Sequence, residues 1–352
     1  MITFLTTATF NQMGGIQRFN MRVIDCLEAL DRSYQIATFN DSPKYLTETL
    51  SSRVQFISKK NPIDLIKLVF SSKKSKNILI GHINILPLFF IIKLINPKVR
   101  GILFVHGIDV WNDSKYRKKK FYDSFILRYV DIVASVSRYT ADIMIKEYNI
   151  NNKKVKIFPN VTDKPVLKRN IKREPKNILC VSRMGKYDYS KNIHLVIKSF
   201  ENILDKHTEL RLQIVGDGPL KEQLESTVSY KNTDRIEFLG RVSDEKLQQL
   251  YSEAYLFVLP SDKEGFGIVY LEAWRFSLPV ICSKYGASSE VIDDGINGIV
   301  CDTKDTIDIQ NALIKLVSDE SLATKMGVEG NKKLVSKYLP DNMVDNLREI
   351  LN

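Results

Sequence analysis

The chain has 352 residues, 44% of them hydrophobic and 26% charged, the balance of a soluble globular protein long enough for two ordinary domains. That excludes a disordered tail protein, a fibrous repeat and a polytopic membrane protein. Lys and Arg number 52 against 41 Asp and Glu, and the formal charge of +11 points to an anionic partner: nucleic acid, a membrane surface or a phosphorylated substrate.

Short β-branched or aromatic runs alternate with helical patterns along the whole chain. Ile2–Thr6, Tyr34–Phe39, Asn77–Ile80, Gly101–Val105, Ile132–Val136 and Lys154–Phe158 are predicted as strands of a first half, with an amphipathic helix over Ile16–Leu30. The greasiest run, Ile78–Ile95, is interrupted by His82, Asn84, Pro87 and Lys93. It falls short of the roughly 20 mostly apolar residues of a membrane span and reads as a buried strand followed by a buried helix. Residues 159–176 are rich in proline and charge and poor in periodicity, so they mark a boundary. Asn177–Ser182, Leu212–Val215, Ile236–Leu239, Leu256–Leu259, Pro279–Cys282 and Gly298–Val300 are predicted as strands of the second half. Strands alternating with helices imply parallel sheets covered on both faces, here as two doubly wound α/β domains. The expected division is an N-terminal domain over 1–160, a linker over 161–176 and a second domain over 177–340. A helix at about 341–352 is expected to pack back on the first domain.

The charge follows the same division. Residues 1–176 hold 31 Lys and Arg against 14 Asp and Glu, a net +17, whereas residues 177–352 carry a net −6. Four cysteines (Cys26, Cys180, Cys282, Cys301) lie far apart without a C-x-x-C pair and read as free thiols in a reducing compartment. The N-terminus has no basic region or apolar stretch of a signal peptide. The expected location is therefore cytoplasmic, with peripheral contact at the inner face of the plasma membrane.

Several strand-to-helix junctions carry glycine. Gly14-Gly15 follows the first strand and precedes the first helix, where it suits either close approach to an anion or a tight turn. Val215-Gly-Asp-Gly-Pro-Leu220 begins like G-x-G-x-x-G, but Lys221 stands at the third glycine position. It reads as a nucleotide-contacting or a structural turn. The most informative segment runs from Ala254 to Cys282. A strand ends at Pro260-Ser261, a loop carries Glu264-Gly265-Phe266-Gly267, and Ile268 starts a helix containing Glu272. The loop lies at the C-terminal end of a parallel strand, where open α/β sheets bind ligands. Glu264 and Glu272, eight residues apart, would stand roughly 12 Å apart along a helix axis. That suits two separate hydroxyl acceptors better than a hydrolytic carboxylate pair, which needs roughly 5–9.5 Å.

Glu264 and Glu272, with seven residues between, resemble the E-x7-E motif of the retaining family 4 glycosyltransferases. The resemblance extends in order over nearly the whole chain. Gly14-Gly15 is similar to the family's glycine loop, Phe104-Val-His106-Gly107 to its strand-end histidine motif, and Val136-Ser-Arg-Tyr-Thr-Ala141 to the serine motif after it. Val181-Ser-Arg183-Met with Lys191-Asn192 resembles the Arg and Lys pair that opens the donor domain. Phe238-Leu-Gly240, Ser289-Glu290-Val-Ile292 and Asn297-Gly298 follow in register.

What the resemblance implies is a GT-B fold, two Rossmann-like domains facing each other across a cleft. The implied activity is sugar transfer from a nucleotide diphosphate to a glycan acceptor with retention of configuration. Arg183 and Lys191 would hold the donor diphosphate and stabilise the leaving nucleotide. Glu272 would accept from the ribose hydroxyls and Glu264 from hydroxyls of the sugar. Backbone N–H groups of Gly265, Phe266, Gly267 and Ile268 would touch the sugar or its phosphate. Gly14 and Gly15 would close over the diphosphate, and His106 would lie beside the sugar. The chain has no Asp-x-Asp, so no metal and no separate cofactor is expected. The family glycine after Pro-Asn is replaced by Val161, and the one two residues before Pro279 by Ser277.

Basic clusters at Lys73–Lys76, Lys115–Lys120 and Lys153–Lys156 fall in the first half. The second opens a predicted helix whose Phe121, Tyr122, Phe125, Ile126 and Tyr129 form one stripe, the pattern of a helix packed on its own core. Basic residues beside aromatics also suit an anionic membrane surface. The expected partners are a nucleotide sugar, a polyprenyl-linked glycan acceptor and that membrane surface, with no nucleic acid. The rival readings are another GT-B nucleotide-sugar enzyme, which E-x7-E disfavours, and a basic nucleic-acid-binding protein, for which no recognition motif is present.

Overall fold

A computed structural model describes residues 1–11, 14–46, 48–58, 61–166 and 176–352. The chain divides into one unit of residues 1–161 with 340–352 and a second of residues 162–339. In the first, β1 (Ile2–Thr6), α1 (Gly15–Ala29), β2 (Tyr34–Thr38), α2 (Glu48–Ser51), β3 (Val54–Phe56), α3 (Pro62–Ser72) and β4 (Asn77–Ile80) come in order. They are followed by α4 (Leu86–Ile95), β5 (Arg100–Val105), α5 (Asp123–Leu127), β6 (Ile132–Ser135), α6 (Arg138–Tyr148) and β7 (Val155–Ile157). The seven strands are all parallel in the order β3-β2-β1-β4-β5-β6-β7.

The central strands are buried on both faces, which is why they read as continuous apolar runs. On one face the Phe104 ring meets Phe4 and Phe19 of α1 edge-on and lies tilted against Phe158, which Phe19 also meets edge-on. On the other, Leu5, Ile78, Ile80, Leu103, Val105 and Val133 belong to a core that also takes in residues of α3, α4, α5 and α6. The edge strand β3 escapes prediction because it has three residues, none fully buried.

The second unit contains β8 (Lys176–Val181), α7 (Ile193–Glu201), β9 (Leu210–Val215), α8 (Lys221–Glu225), β10 (Ile236–Gly240), α9 (Asp244–Glu253) and β11 (Ala254–Leu259). Then come α10 (Ile268–Arg275), β12 (Val280–Ser283), α11 (Ser288–Val291), β13 (Gly298–Cys301), α12 (Thr306–Ser318) and α13 (Glu320–Lys337). Its six parallel strands run β10-β9-β8-β11-β12-β13. The last helix, α14 (Pro340–Leu351), belongs to the first unit and packs on α1. The Arg100 guanidinium donates to the carbonyls of Leu351 (3.0 Å) and Ile350 (3.3 Å), as a cation at a helix C-terminus should.

Of the expected linker 161–176, residues 167–175 lie outside the described residues. Its first residues are bonded within the second unit: Thr162 N–H donates to the Tyr338 carbonyl and Val166 N–H to that of Arg275. All four cysteines are buried and unbridged. Two expectations change. Of the run Ile78–Ile95, β4 is wholly buried, but α4 leaves Ile91, Leu94 and Ile95 exposed. The Phe121–Tyr129 stripe is not a core stripe either: Ile126 and Leu127 enter the core, and Phe121, Phe125 and Tyr129 do not.

Ser277 explains how one missing glycine is tolerated. Its φ of 53° is left-handed, and the α13 backbone lies so close that a Cβ on Gly327 would fall 2.0 Å from the Ser277 carbonyl oxygen. The chain keeps the bend and accepts strain of about 1–2 kcal/mol for a non-glycine residue there. Ser277→Gly relieves it while loosening the unfolded chain, so a net gain of about 0.5–1 kcal/mol is expected. Thermal unfolding of the second unit should rise by about 2 °C; a fall would show that no strain is stored.

Candidate active site

In each sheet the strand order reverses once, and open α/β sheets bind ligands at the C-terminal ends of the two strands flanking that point. In the second unit these are β8 and β11. Arg183 and Lys191 follow β8, and Glu264 follows β11. The Lys191 Nζ donates to Glu264 Oε2 at 2.7 Å, with the two side chains only 14% and 16% exposed. The two loops are stitched together around this pair. Asn192 Nδ2 donates to the Pro260 carbonyl at 2.8 Å, and Asp262 N–H to the Ser190 carbonyl at 2.9 Å. Asn192 adopts φ 58°, a left-handed conformation, and is the N-cap from which helix α7 starts at Ile193.

Arg183 stands differently. Its side chain is 65% exposed, held only loosely by a 3.5 Å contact with the buried Asp188, which also accepts from Gly185 N–H at 3.0 Å. The guanidinium is thus anchored at one edge and largely exposed. The glycines of Val215–Leu220 serve this loop sterically. Gly216 and Gly218 have φ of 135° and 145°, and a Cβ on either would collide with the carbonyls of Ser182 and Met184. Packing against the Arg183 loop accounts for both.

The Glu264 loop is rigid. Gly267, φ 92°, is the N-cap of α10, and a Cβ there would lie 2.2 Å from the Tyr270 ring. Tyr270 is itself locked by donating to the Leu259 carbonyl at 2.8 Å and lying 3.0 Å from Ser288 Oγ. Gly286, φ 71°, lets the backbone approach Asp262 and Glu264, and Ala287 N–H donates to the Glu264 carbonyl at 3.0 Å. The Phe266 side chain is buried edge-on against Tyr338, so only its backbone is available to a ligand. Ile268 opens α10, whose first N–H groups lack partners from the helix itself. Half-buried Glu272 lies one helix face further on and accepts from the buried Tyr251 hydroxyl at 3.2 Å.

In the first unit the strand order reverses between β1 and β4. Gly14 and Gly15 follow β1 and open α1. Gly14 is extended, and among the described residues a Cβ on it would meet only the flexible Gln17 side chain and one on Gly15 nothing within 4 Å. His82 follows β4 and accepts from Asn84 N–H through Nδ1, a capping role. His106 follows β5, its ring edge-on to Phe19 at 4.6 Å. Asp109 Oδ1 clamps the turn by accepting from the N–H groups of His106 (3.0 Å) and Gly107 (2.9 Å). Among the described residues, His106 Nε2 and Asp109 Oδ2 are buried without a hydrogen-bond partner. Burial holds the His106 pKa below the usual imidazole value, against the pull of Asp109, so the ring is neutral at pH 7. Ser137, from the serine motif, caps α6 by accepting from Thr140 N–H.

The structure thus brings Arg183, Lys191, Glu264, Gly265, Phe266, Gly267, Ile268 and Glu272 into one unit and Gly14, Gly15 and His106 into the other. Sequence reasoning missed Asp262, whose carboxylate accepts from Ser283 and Thr303 hydroxyls and anchors the loop, and Ser261, whose buried Oγ is unpartnered. Proximity to Glu264 was the only available signal for either. Among the described residues no group of three or more His, Cys, Asp or Glu could hold a metal ion.

Two family models divide the chain between them: Glycosyltransferase Family 4 matches residues 13–164 and Glycosyl transferases group 1 matches residues 163–333. The chain belongs to the GT-B glycosyltransferases. An uncharacterized glycosyltransferase of Methanocaldococcus jannaschii is 25% identical to it over 253 residues, which are 71% of this chain and 67% of that protein. The N-acetyl-alpha-D-glucosaminyl L-malate synthase of Bacillus anthracis is 26% identical over 269 residues, 73% of this glycosyltransferase and 69% of the synthase. Among solved structures, Anabaena HepE in complex with UDP superposes with a TM-score of 0.81 at 18% identity, covering 99% of each chain. The likeness at that identity is one of fold.

Proposed function

We propose that this glycosyltransferase moves a sugar from a nucleotide diphosphate to a polyprenyl-linked glycan in surface polysaccharide synthesis, with retention of configuration, at the anionic inner face of a membrane. The observation that carries the donor assignment is the Lys191–Glu264 pair at the β8–β11 reversal, one cation and one carboxylate held for a ligand bearing both phosphate and hydroxyls. The second unit takes the donor. Its diphosphate recruits Lys191 and the exposed Arg183, which spread the charge that builds on the leaving nucleotide without a divalent ion. Glu264, released from Lys191, accepts from sugar hydroxyls, and Glu272, oriented by Tyr251, accepts from the ribose. Backbone N–H groups from Gly265 to Ile268 face the sugar phosphate.

The first unit takes the acceptor, with neutral His106 offering Nε2 to a hydroxyl and Gly14-Gly15 lying against the donor phosphates. The acceptor hydroxyl attacks on the face the nucleotide leaves, and its proton passes to the departing phosphate oxygen. The binding test is thermal unfolding with UDP, GDP or a mixed oligonucleotide. A nucleotide diphosphate at a hundred times its Kd adds about 2.7 kcal/mol, a shift of several degrees. Stabilisation by the oligonucleotide alone would overturn the reading. The anomeric configuration of the product, read by NMR, tests retention.

A further inference from the structure

The first unit leaves several large apolar side chains exposed on successive helices, and an apolar patch rimmed by polar residues marks an interaction site. Three helices that touch in series, α3, α4 and α5 with its flanking residues, present Ile66, Phe70, Leu94, Phe121, Phe125 and Tyr129 to solvent. Phe121 is 97% exposed. Its position is built, not slack. The preceding basic run is pinned from inside: buried Arg117 donates twice to buried Asp123 (2.9 and 2.8 Å) and once to Asn84, while Asp123 also accepts from Lys120 N–H at 2.7 Å. Lys119 turns inward as well, its Nζ on the Glu147 carbonyl. Arg117 and Lys119 thus spend their charge on the fold, and Lys115, Lys118 and Lys120 remain exposed around Phe121. Lys67 on α3, and Lys73, Lys74 and Lys98 just beyond the ends of α3 and α4, are exposed as well. Residues 61–130 carry thirteen Lys and Arg against four Asp.

We infer that this face docks on an anionic lipid bilayer, with Phe121, Phe125 and Tyr129 entering the interface and Lys118 and Lys120 meeting headgroup phosphates. Ring edges suit the headgroup boundary, lysine stems can lie along the acyl surface while their ammonium groups reach phosphate, and each cation near such a surface adds to the attraction. Charge decides the occupant. A second copy of the chain would bring two strongly positive faces together, whereas an anionic bilayer complements both the apolar and the cationic parts. No helix among the described residues is long and apolar enough to cross the bilayer, so the contact is interfacial. The inference deepens the proposed membrane-borne acceptor and rests on that reading for its role in the cell.

The test is flotation of the full chain with vesicles of phosphatidylcholine, alone or mixed with phosphatidylglycerol. The chain should float with the mixed vesicles only and be released by raised salt. Phe121→Ser with Phe125→Ser should weaken partitioning at least tenfold. Lys118→Glu with Lys120→Glu should do the same and also flatten the salt dependence. Both pairs should keep the wild-type thermal shift with UDP or GDP. If the Phe pair misfolds, the Lys pair, confined to exposed positions, decides alone. Absence of flotation, equal flotation with neutral vesicles, or flotation unchanged in both variants overturns the inference. So does a dimer seen by light scattering that Phe121→Ser dissociates. Failed flotation with an intact nucleotide shift removes the docking surface alone; a lost nucleotide shift removes the transferase reading.

Discussion

Lys191→Ala should lower kcat/KM by about 10²–10³, the usual loss when one preorganised donor to developing charge is removed. The same change leaves Glu264 without its 2.7 Å partner at a site where the carboxylate is only 16% exposed. An unpaired, mostly buried carboxylate costs about 1–3 kcal/mol, so the second unit should also unfold at a lower temperature. Glu264→Gln separates the two effects. The amide keeps the shape and one acceptor oxygen for Lys191, so the loss of stability should be smaller than in Lys191→Ala, but the charge that answers Lys191 and the sugar hydroxyls is gone. Transfer should fall by about two orders of magnitude. Combining Lys191→Met with Glu264→Gln completes a cycle. If the pair is coupled, the double variant is more stable than Lys191→Met alone and no more active. Wild-type kinetics in Lys191→Ala and Glu264→Gln would refute the site.

That site was legible in outline because parallel sheets carry their functional groups at strand ends, and strand ends are where apolar runs give way to glycine and charge. Glu264 could be singled out on that ground, whereas Arg183 and Lys191 came from the family resemblance. The contact between Lys191 and Glu264 could not be read, since it depends on β8 and β11 being neighbours. Asp262 escaped for a different reason. It acts on hydroxyl groups of distant segments, and no local pattern distinguishes such a residue from a loop polar group. The glycines at 216 and 218 read ambiguously because close packing and phosphate approach demand the same missing side chain; the carbonyls of Ser182 and Met184 resolve it for this chain. The stripe from Phe121 to Tyr129 misled because helical period reports that one face is apolar, not what covers it. Tertiary contacts bury Ile126 and Leu127 and leave the rest bare.

His106→Gln should reduce kcat by about 10², within the range for a positioned proton-handling or hydrogen-bonding side chain. The ring is packed against Phe19, its backbone is fixed by Asp109, and among the described residues Nε2 is buried without a hydrogen-bond partner. A buried polar atom left unpaired costs about 1–3 kcal/mol, which is tolerable where a ligand hydroxyl completes it. The pH dependence follows from the direction of the shift. Burial depresses the imidazole pKa in the folded state, so as pH falls through about 6.5 the unfolded chain takes up its proton first. Stability from this group is therefore present above that range and is lost on acidification. His82 is shifted the same way by burial and adds to the slope, so His106→Gln should flatten it only in part. Activity separates the two. The acid limb of kcat/KM should lie below pH 6.5, vanish in His106→Gln and persist in His82→Gln, whose ring caps a turn. An acid limb kept by His106→Gln would assign the titrating group elsewhere.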